Sequence, residues 1–266
     1  MGALAGVFFL AEARAETDAT LDGGVTMLHW AARRGFEVPL VWCMLKAGAD
    51  TNATDQDGLT PLHHAAMMDR RRLVRFLLSV GGSGGKDAKS SEDSTPLHLS
   101  AAAGHAIVVR SLLTGGADKD AKNQRGQTSL LLASVFGHEA VANALLTAGA
   151  NQFTQDKEGR SPLLSAATSG YDEIVRALLL LSRADINSPD TQGRTPLLVA
   201  ALGGHDRCAT SLLGAGADFN STDKSGWTPL HHAAAWGFDA TVKMLVKISI
   251  LALNPNPEFS TLKRKT

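Results

Sequence analysis

Apolar and polar residues alternate along the chain in a pattern that repeats every 33 to 35 residues. In each period, a first apolar stretch containing two adjacent small residues is followed by a second stretch with paired apolar residues at i, i+4 spacing. Val108, Val109, Leu112 and Leu113 are one such set. Because this spacing places apolar side chains on one face of a helix, each period predicts two short amphipathic helices joined by a turn.

A Thr or Ser begins the first helix of each period. Its hydroxyl can accept a backbone N–H, and the Pro that often follows suits the first helical position. A Gly nine positions later predicts the end of that helix in every period but one, where Asp69 takes its place. The seven copies of this start signal are Thr26, Thr60, Thr95, Thr128, Ser161, Thr195 and Thr228.

These motifs together resemble the ankyrin repeat. The resemblance rests on Thr-Pro-Leu-His blocks, the Gly nine positions on, the paired leucines and Gly-Ala-Asp segments such as residues 48–50, and it covers residues 14–247. It implies an all-α solenoid of stacked helix-turn-helix units with β-turn or hairpin loops, because one such unit is too small to bury its own apolar faces. It also implies that the histidine of each block ties neighbouring repeats by hydrogen bonds. That histidine is present as His29, His63, His98 and His231, whereas packing must replace it at Leu131, Leu164 and Leu198.

The ends of the chain depart from the pattern. Residues 14–26 match residues 48–60 in register, so we interpret residues 1–23 as a truncated half-repeat and expect a fragment of a longer protein. The alternative is a signal peptide, since Ala13-Arg14-Ala15 fits a cleavage pattern, although no basic residue precedes the apolar stretch. Residues 254–266 predict a Pro-broken basic tail, either solvated or a localisation signal. The seven repeats predicted between the ends are 24–57, 58–92, 93–125, 126–158, 159–192, 193–225 and 226–253.

Charge and composition narrow the classes of partner. Lys plus Arg and Asp plus Glu number 26 each, which gives a formal net charge of +0 and no global attraction to nucleic acid or anionic membranes. No run approaches 18 apolar residues, so no membrane span is predicted. The two cysteines form no CxxC pair, which favours a cytoplasmic or nuclear protein over a secreted one. We expect a monomer.

The sequence gives little support for catalysis or for a cofactor. The nine histidines suggest a metal site, but adjacent histidines on a helix point about 100° apart, and equivalent ones in neighbouring repeats lie about 8–10 Å apart, too far for one Zn²⁺. The glycine-rich residues 81–86 fail the Walker A pattern at Val80 and Asp87, and predict a lengthened loop instead. Cys43 and Cys208 are expected in helix packing. We therefore predict no metal, no cofactor and no enzyme.

The resemblance implies that a partner binds along a concave face formed by the first helices and the loop tips. Apolar and aromatic side chains at the corresponding positions favour an apolar segment of another protein, although Leu99, Leu132 and Val199 fit packing between helices equally well. The candidate binding residues are Trp30, Arg33, Arg34, His64, Met67, Met68, Leu99, Leu132, Val135, Phe136, Val199, Leu202, Trp227, His232 and Trp236.

The sequence thus predicts a non-catalytic protein-interaction scaffold. The alternative is the recognition portion of a larger enzyme, channel or ligase adaptor whose effector domain is missing. The strongest local charge cluster, formed by Arg70, Arg71, Arg72 and Arg75, has two interpretations: a binding site for phosphate or an acidic partner, or a solvated helix start.

Overall fold

The structure, a computed structural model, describes residue 20 and residues 22–81, 85–181 and 185–253. Most of the predicted half-repeat, with its alternative signal peptide, and the whole predicted tail lie outside the described residues, as does part of the glycine-rich loop. Across the described ranges there are fourteen α-helices and one 3-10 helix, and no strand beyond an isolated bridge at Val25. The prediction of an all-α, helix-turn-helix architecture is confirmed.

The chain divides into two compact units, Met1–Lys157 and Glu158–Thr266. The first unit contains α1 (Met27–Arg34), α2 (Val38–Lys46), α3 (Pro61–Met67), α4 (Arg71–Val80), a 3-10 helix (Gly85–Asp87), α5 (Pro96–Ala102), α6 (Ala106–Thr114), α7 (Ser129–Phe136) and α8 (Glu139–Thr147). The second contains α9 (Pro162–Ser169), α10 (Asp172–Leu181), α11 (Pro196–Leu202), α12 (Asp206–Gly214), α13 (Pro229–Ala235) and α14 (Asp239–Leu253).

Each unit has two layers of helices. We call the odd-numbered helices inner and the even-numbered helices outer. In each unit the inner helices pack side by side, and the outer helices pack side by side behind them. The paired small residues near the middle of the inner helices α1 to α11, such as Ala65-Ala66 and Ala200-Ala201, are fully buried, which lets neighbouring inner helices approach closely. In α13 Ala233 is buried and Ala234 is exposed.

The predicted helix starts are formed by side-chain caps. The hydroxyls of Thr26, Thr60, Thr95 and Thr228 accept the backbone N–H three residues on, and the histidine at that position accepts the backbone N–H of the same threonine through Nδ1. For Thr60 and His63 the second of these bonds is 3.1 Å long. Because Nδ1 acts as an acceptor, the proton of the neutral ring is placed on Nε2, which is then a donor.

That second ring nitrogen ties repeats together in the first unit. The Nε2–H groups of His29, His63 and His98 donate to the carbonyl oxygens of Leu59, Ser94 and Gln127 at distances of 2.9, 3.0 and 3.0 Å. The inter-repeat ties implied by the resemblance are confirmed for these three histidines. His231 caps its own helix through Thr228, and its side chain is exposed. At the same place in other repeats, Leu131, Leu164 and Leu198 are buried.

A second series of hydrogen bonds, which the sequence analysis missed, joins the turns between inner and outer helices. His105 and His138 in the first unit donate to the carbonyls of Met67 and Ala102, and His205 in the second unit donates to that of Thr168. In one repeat Arg70 occupies the position of these histidines, and its Nη2 donates to the Arg33 carbonyl at 2.8 Å. The signal was available in the sequence, because each of these histidines directly follows a helix-ending Gly.

The loops between repeats are closed turns whose tips bond to one another. Asp55 illustrates the turn: its N–H donates to the Leu59 carbonyl, and its carbonyl accepts the N–H of Gly58. Each loop tip also donates a backbone N–H to a backbone carbonyl of the preceding tip. In the first unit the donors and acceptors are Gln56 and Gly23, Ser91 and Asp57, Gln124 and Glu92, and Lys157 and Arg125; in the second they are Thr191 and Glu158, and Lys224 and Gln192.

The turn after α9 requires glycine. Gly170 has φ +77°, and a Cβ there would lie 2.5 Å from Nδ1 of His205. We predict that Gly170→Ala lowers the free energy of unfolding by at least about 1–2 kcal/mol, the cost of a left-handed non-glycine residue, with further loss from the displaced His205. Gly214→Ala is the control, because Gly214 lies at the end of α12 with nothing within 4 Å of a Cβ. Urea unfolding of both variants measures the difference, and equal stabilities would contradict this account.

The buried histidines predict acid sensitivity. Burial lowers the pKa of His63 to about 4, and it also lowers the pKa values of His29 and His98. Between pH 6.5 and 4 the unfolded chain therefore binds more protons than the folded one, so stability falls as the pH falls through this window. His63 alone accounts for a loss of about 2 kcal/mol between pH 7 and pH 5.

His63→Leu tests this directly, since leucine occupies the same place at Leu131. The variant should be less stable at pH 7.5, because the Ser94 carbonyl loses its donor, yet its urea midpoint should fall less steeply from pH 7 to pH 5. A slope equal to that of the original chain would be inconsistent with titration of His63.

Candidate protein-interaction surface

Large apolar side chains are exposed on the inner helices or directly beside their ends. In the first unit, Phe136 is 51% exposed, Trp30 41% and Met68 39%. In the second unit, Trp236 is 67% exposed and Trp227, just before α13, is 42% exposed. When a partner covers such side chains, a large apolar area is removed from water, which favours binding. Trp is also enriched among the residues that contribute most of the binding energy at protein interfaces. We call these five residues the inner-face anchors.

Trp30 is held by neighbours on its own repeat. The guanidinium carbon of Arg34 lies 4.7 Å from the centroid of the indole ring, in cation–π geometry. The ring of Phe36 approaches edge-on, with centroids 6.1 Å apart. The ring is thus oriented before any partner arrives, which limits the side-chain entropy lost on binding.

A groove in the first unit lies between the hairpin tips and the inner helices. It encloses about 300 Å³, and its lining includes Val25, Arg33 and Met67. At its floor, His64 Nε2 lies 2.8 Å from Oδ2 of Asp55, and both side chains are buried. Burial opposes ionisation of Asp55, but the hydrogen bonds from His64 and the Leu59 N–H outweigh it, so the pKa of Asp55 lies below its usual value.

The second unit has a wider groove of about 580 Å³. Leu202, Trp227 and Trp236 line it together with the second His–Asp pair, in which His232 Nε2 lies 2.9 Å from Oδ2 of Asp223. The Trp227 and His232 rings are tilted against one another with centroids 5.1 Å apart. Burial acts against ionisation of Asp223, yet the hydrogen bond from His232 brings its pKa below the usual value.

The predicted binding residues differ in exposure. His64, Leu132 and Val199 are buried, with 5%, 9% and 3% of their surface exposed. They offer almost no surface to a partner. Among the other candidates, Arg33 and Arg34 are exposed, as are the five anchors, and the partly exposed ones are Met67, Leu99, Val135, Leu202 and His232.

Comparison with models of known protein families identifies the family of the chain. The family model for ankyrin repeats, described as three copies, matches residues 2–84, 97–190 and 166–256. The chain belongs to the ankyrin-repeat family. A search of curated proteins finds no match. Ankyrin repeats in general are protein–protein interaction modules.

All nine histidines of these ankyrin repeats make structural hydrogen bonds. Four cap inner helices, three join turns between repeats, and His64 and His232 pair with aspartates. Within the part of the chain that the structure describes, no group of three or more His, Cys, Asp or Glu side chains could hold a metal ion. Sequence reasoning missed the two His–Asp pairs, although an Asp stands nine positions before each of these histidines.

The cysteines lie on outer helices, and neither forms a disulfide. Cys208 on α12 is fully buried, and burial, with the nearby charge of Asp172, raises its pKa to about 11. Since the thiolate is the nucleophilic form, this cysteine is poorly suited to covalent chemistry at neutral pH. Cys43 on α2 is partly buried.

Several other exposed apolar residues of the ankyrin repeats lie on the outer helices. Trp42 on α2 is 50% exposed and carries Lys46 Nζ at 5.1 Å from its ring, Ile107 on α6 is 40% exposed, and Leu180 on α10 is 83% exposed. The sequence analysis did not single them out. No helix in the described ranges is both long and apolar enough to cross a bilayer.

The exposure of the anchors predicts small effects on stability. Phe136→Ala and Trp236→Ala should each change the free energy of unfolding by no more than about 0.5–1 kcal/mol, as is usual for surface positions. Leu131→Ala and Leu198→Ala, at fully buried positions of the same units, should each cost about 2–5 kcal/mol. Urea unfolding followed by circular dichroism measures all four. A large loss for Phe136→Ala or Trp236→Ala would identify that residue as part of the core.

Proposed function

We propose that these ankyrin repeats form a non-catalytic scaffold that binds an apolar segment of a partner protein through the inner helices and the hairpin tips. The observation that carries the proposal is the exposure of the inner-face anchors Trp30, Met68, Phe136, Trp227 and Trp236. Exposed apolar surface of this kind lowers the solubility of a protein, and it is typical of sites that a partner protein covers.

The hydrogen bonds between repeats support a mechanism of surface complementarity. Within each unit, bonds at the turns and at the hairpin tips fix the separation of neighbouring inner helices. Anchors that are held in place before binding lose little conformational entropy when the partner arrives. The binding step thus needs complementarity in shape and chemistry, and no covalent chemistry.

The predicted monomeric state, the predicted cytoplasmic or nuclear location and the alternative of a recognition portion within a larger enzyme, channel or adaptor stay predictions from the sequence. The scaffold proposal depends on none of them, because each unit presents its own anchors.

Quantitative affinity purification with matched variants tests the proposal. One variant carries Trp30→Ala, Met68→Ala and Phe136→Ala in the first unit, and another carries Trp227→Ala and Trp236→Ala in the second. The control carries Trp42→Ala, Ile107→Ala and Leu180→Ala, which remove comparable exposed area from outer helices. Urea unfolding first establishes that all three remain folded.

We expect at least one inner-helix variant to lose proteins that the original chain and the outer-helix control retain, by about tenfold or more, which is the effect of removing one hot-spot residue. If the same proteins bind all variants equally, or if the outer-helix control loses them too, the inner face is not the binding surface.

A further inference from the structure

Five arginines lie at two adjoining turns of the first unit. Arg33 and Arg34 end α1, and Arg70, Arg71 and Arg72 surround the start of α4. The two turns are bonded, because Arg70 Nη2 donates to the Arg33 carbonyl at 2.8 Å. We call this set of five residues the basic ridge.

The charges at the ridge do not cancel. Glu37 and Asp69 face the same cavity of about 250 Å³ as Arg70, Arg71 and Arg72. Asp55 and Asp57 line the groove beside Arg33. Asp69 accepts from Arg71 at 3.0 and 2.7 Å. That hydrogen bond, with the positive charges of Arg71 and Arg70, lowers the pKa of Asp69. Five arginines stand against these four carboxylates, and Asp55 is already paired with His64, so an excess of positive charge remains at the ridge.

Arginines at the start of α4 are unfavourable for the stability of that helix. The N-terminus of a helix carries a partial positive charge that repels cations. The first turns of α8, α10, α12 and α14 each contain an acidic residue. The first turn of α4 contains none, and it has Arg71 and Arg72 instead. The arginines thus lower the stability of α4 at a place where acidic residues stabilise four other outer helices, and they strengthen a local positive potential.

Apolar anchors adjoin the ridge on the same side of the repeats. Arg34 stacks on Trp30, Met68 directly precedes Asp69, and Arg33 lines the 300 Å³ groove together with Met67. A molecule lying across this region therefore meets exposed indole and thioether surface next to unneutralised guanidinium groups. The complementary surface has apolar side chains flanked by carboxylates.

We propose that the first two repeats recognise an acidic segment of a partner protein in which Asp or Glu residues flank one or more large apolar side chains. This proposal rests on the proposed function and names the chemistry of the partner. Guanidinium groups bind carboxylates with paired hydrogen bonds, and the partner's apolar side chains cover Trp30 and Met68. Nucleic acid fits less well, because such ligands are held by many phosphate contacts and the chain has no net positive charge.

Selection from a library of random 15-residue peptides displayed on phage tests the proposal with the whole chain as bait. Enriched peptides should contain more Asp and Glu, and more Leu, Met, Phe and Trp, than the starting library. Fluorescence anisotropy of the enriched peptides should show weaker binding as the salt concentration rises, because exposed charges are screened.

Charge variants locate the binding site. The double variant Arg33→Glu, Arg72→Glu should weaken peptide binding by at least about tenfold. The control, Arg110→Glu with Arg207→Glu, makes the same change in charge at exposed positions of α6 and α12 and should have little effect. Asp69→Asn should strengthen binding, because it removes the carboxylate that pairs with Arg71. The variant should fold normally, because Asn tolerates the left-handed backbone at φ 54°.

The possible failures are distinguishable. Enriched peptides that are neutral or basic but depend on the inner-face anchors would overturn the acidic partner and leave the proposed function standing. Absence of any enriched peptide, or binding insensitive to every inner-helix variant, would overturn both. If single-stranded DNA or phosphatidylserine vesicles bind more tightly than the peptides with the same dependence on Arg33 and Arg72, the ridge is a general polyanion site and the proposal fails.

Discussion

A neutral imidazole with both ring nitrogens bonded is the interaction on which the first unit depends. In His29, His63 and His98, Nδ1 accepts the N–H of the capping threonine while Nε2–H donates to a carbonyl of the next repeat. One side chain therefore caps the start of a helix and joins two repeats. Both bonds need the same tautomer, so the helix start and the repeat junction form together or not at all.

Sequence reasoning predicted most of the architecture because each repeat carries local signals that act over a few residues. The Thr or Ser cap, the Pro at the first helical position and the left-handed Gly each determine backbone geometry at their own position. Asp69 shows how strong this constraint is. It lacks the freedom of glycine and still adopts φ 54° at the same turn, because the turn between the two helices requires it.

Contacts between repeats were harder to foresee. The sequence shows that His105, His138 and His205 follow glycines, but the carbonyls they reach lie 36 to 38 residues away and become partners only when repeats stack. The exposure of the inner-face positions depends on the same stacking. Val199 and Trp30 occupy the same place in the repeat, yet Val199 is buried and Trp30 is exposed. The sequence pattern of a single repeat therefore does not show which of these side chains is buried.

Some repeats have histidine and others leucine at one structural position, and the two kinds of junction respond differently to a pulling force. A hydrogen bond from His98 to the Gln127 carbonyl is short and directional, so it breaks within a fraction of an ångström of displacement. The apolar contacts of Leu131, Leu164 and Leu198 have no preferred direction and tolerate small sliding. Under tension, a histidine junction therefore breaks at a small displacement, whereas a leucine junction such as that of Leu164 or Leu198 in the second unit yields gradually.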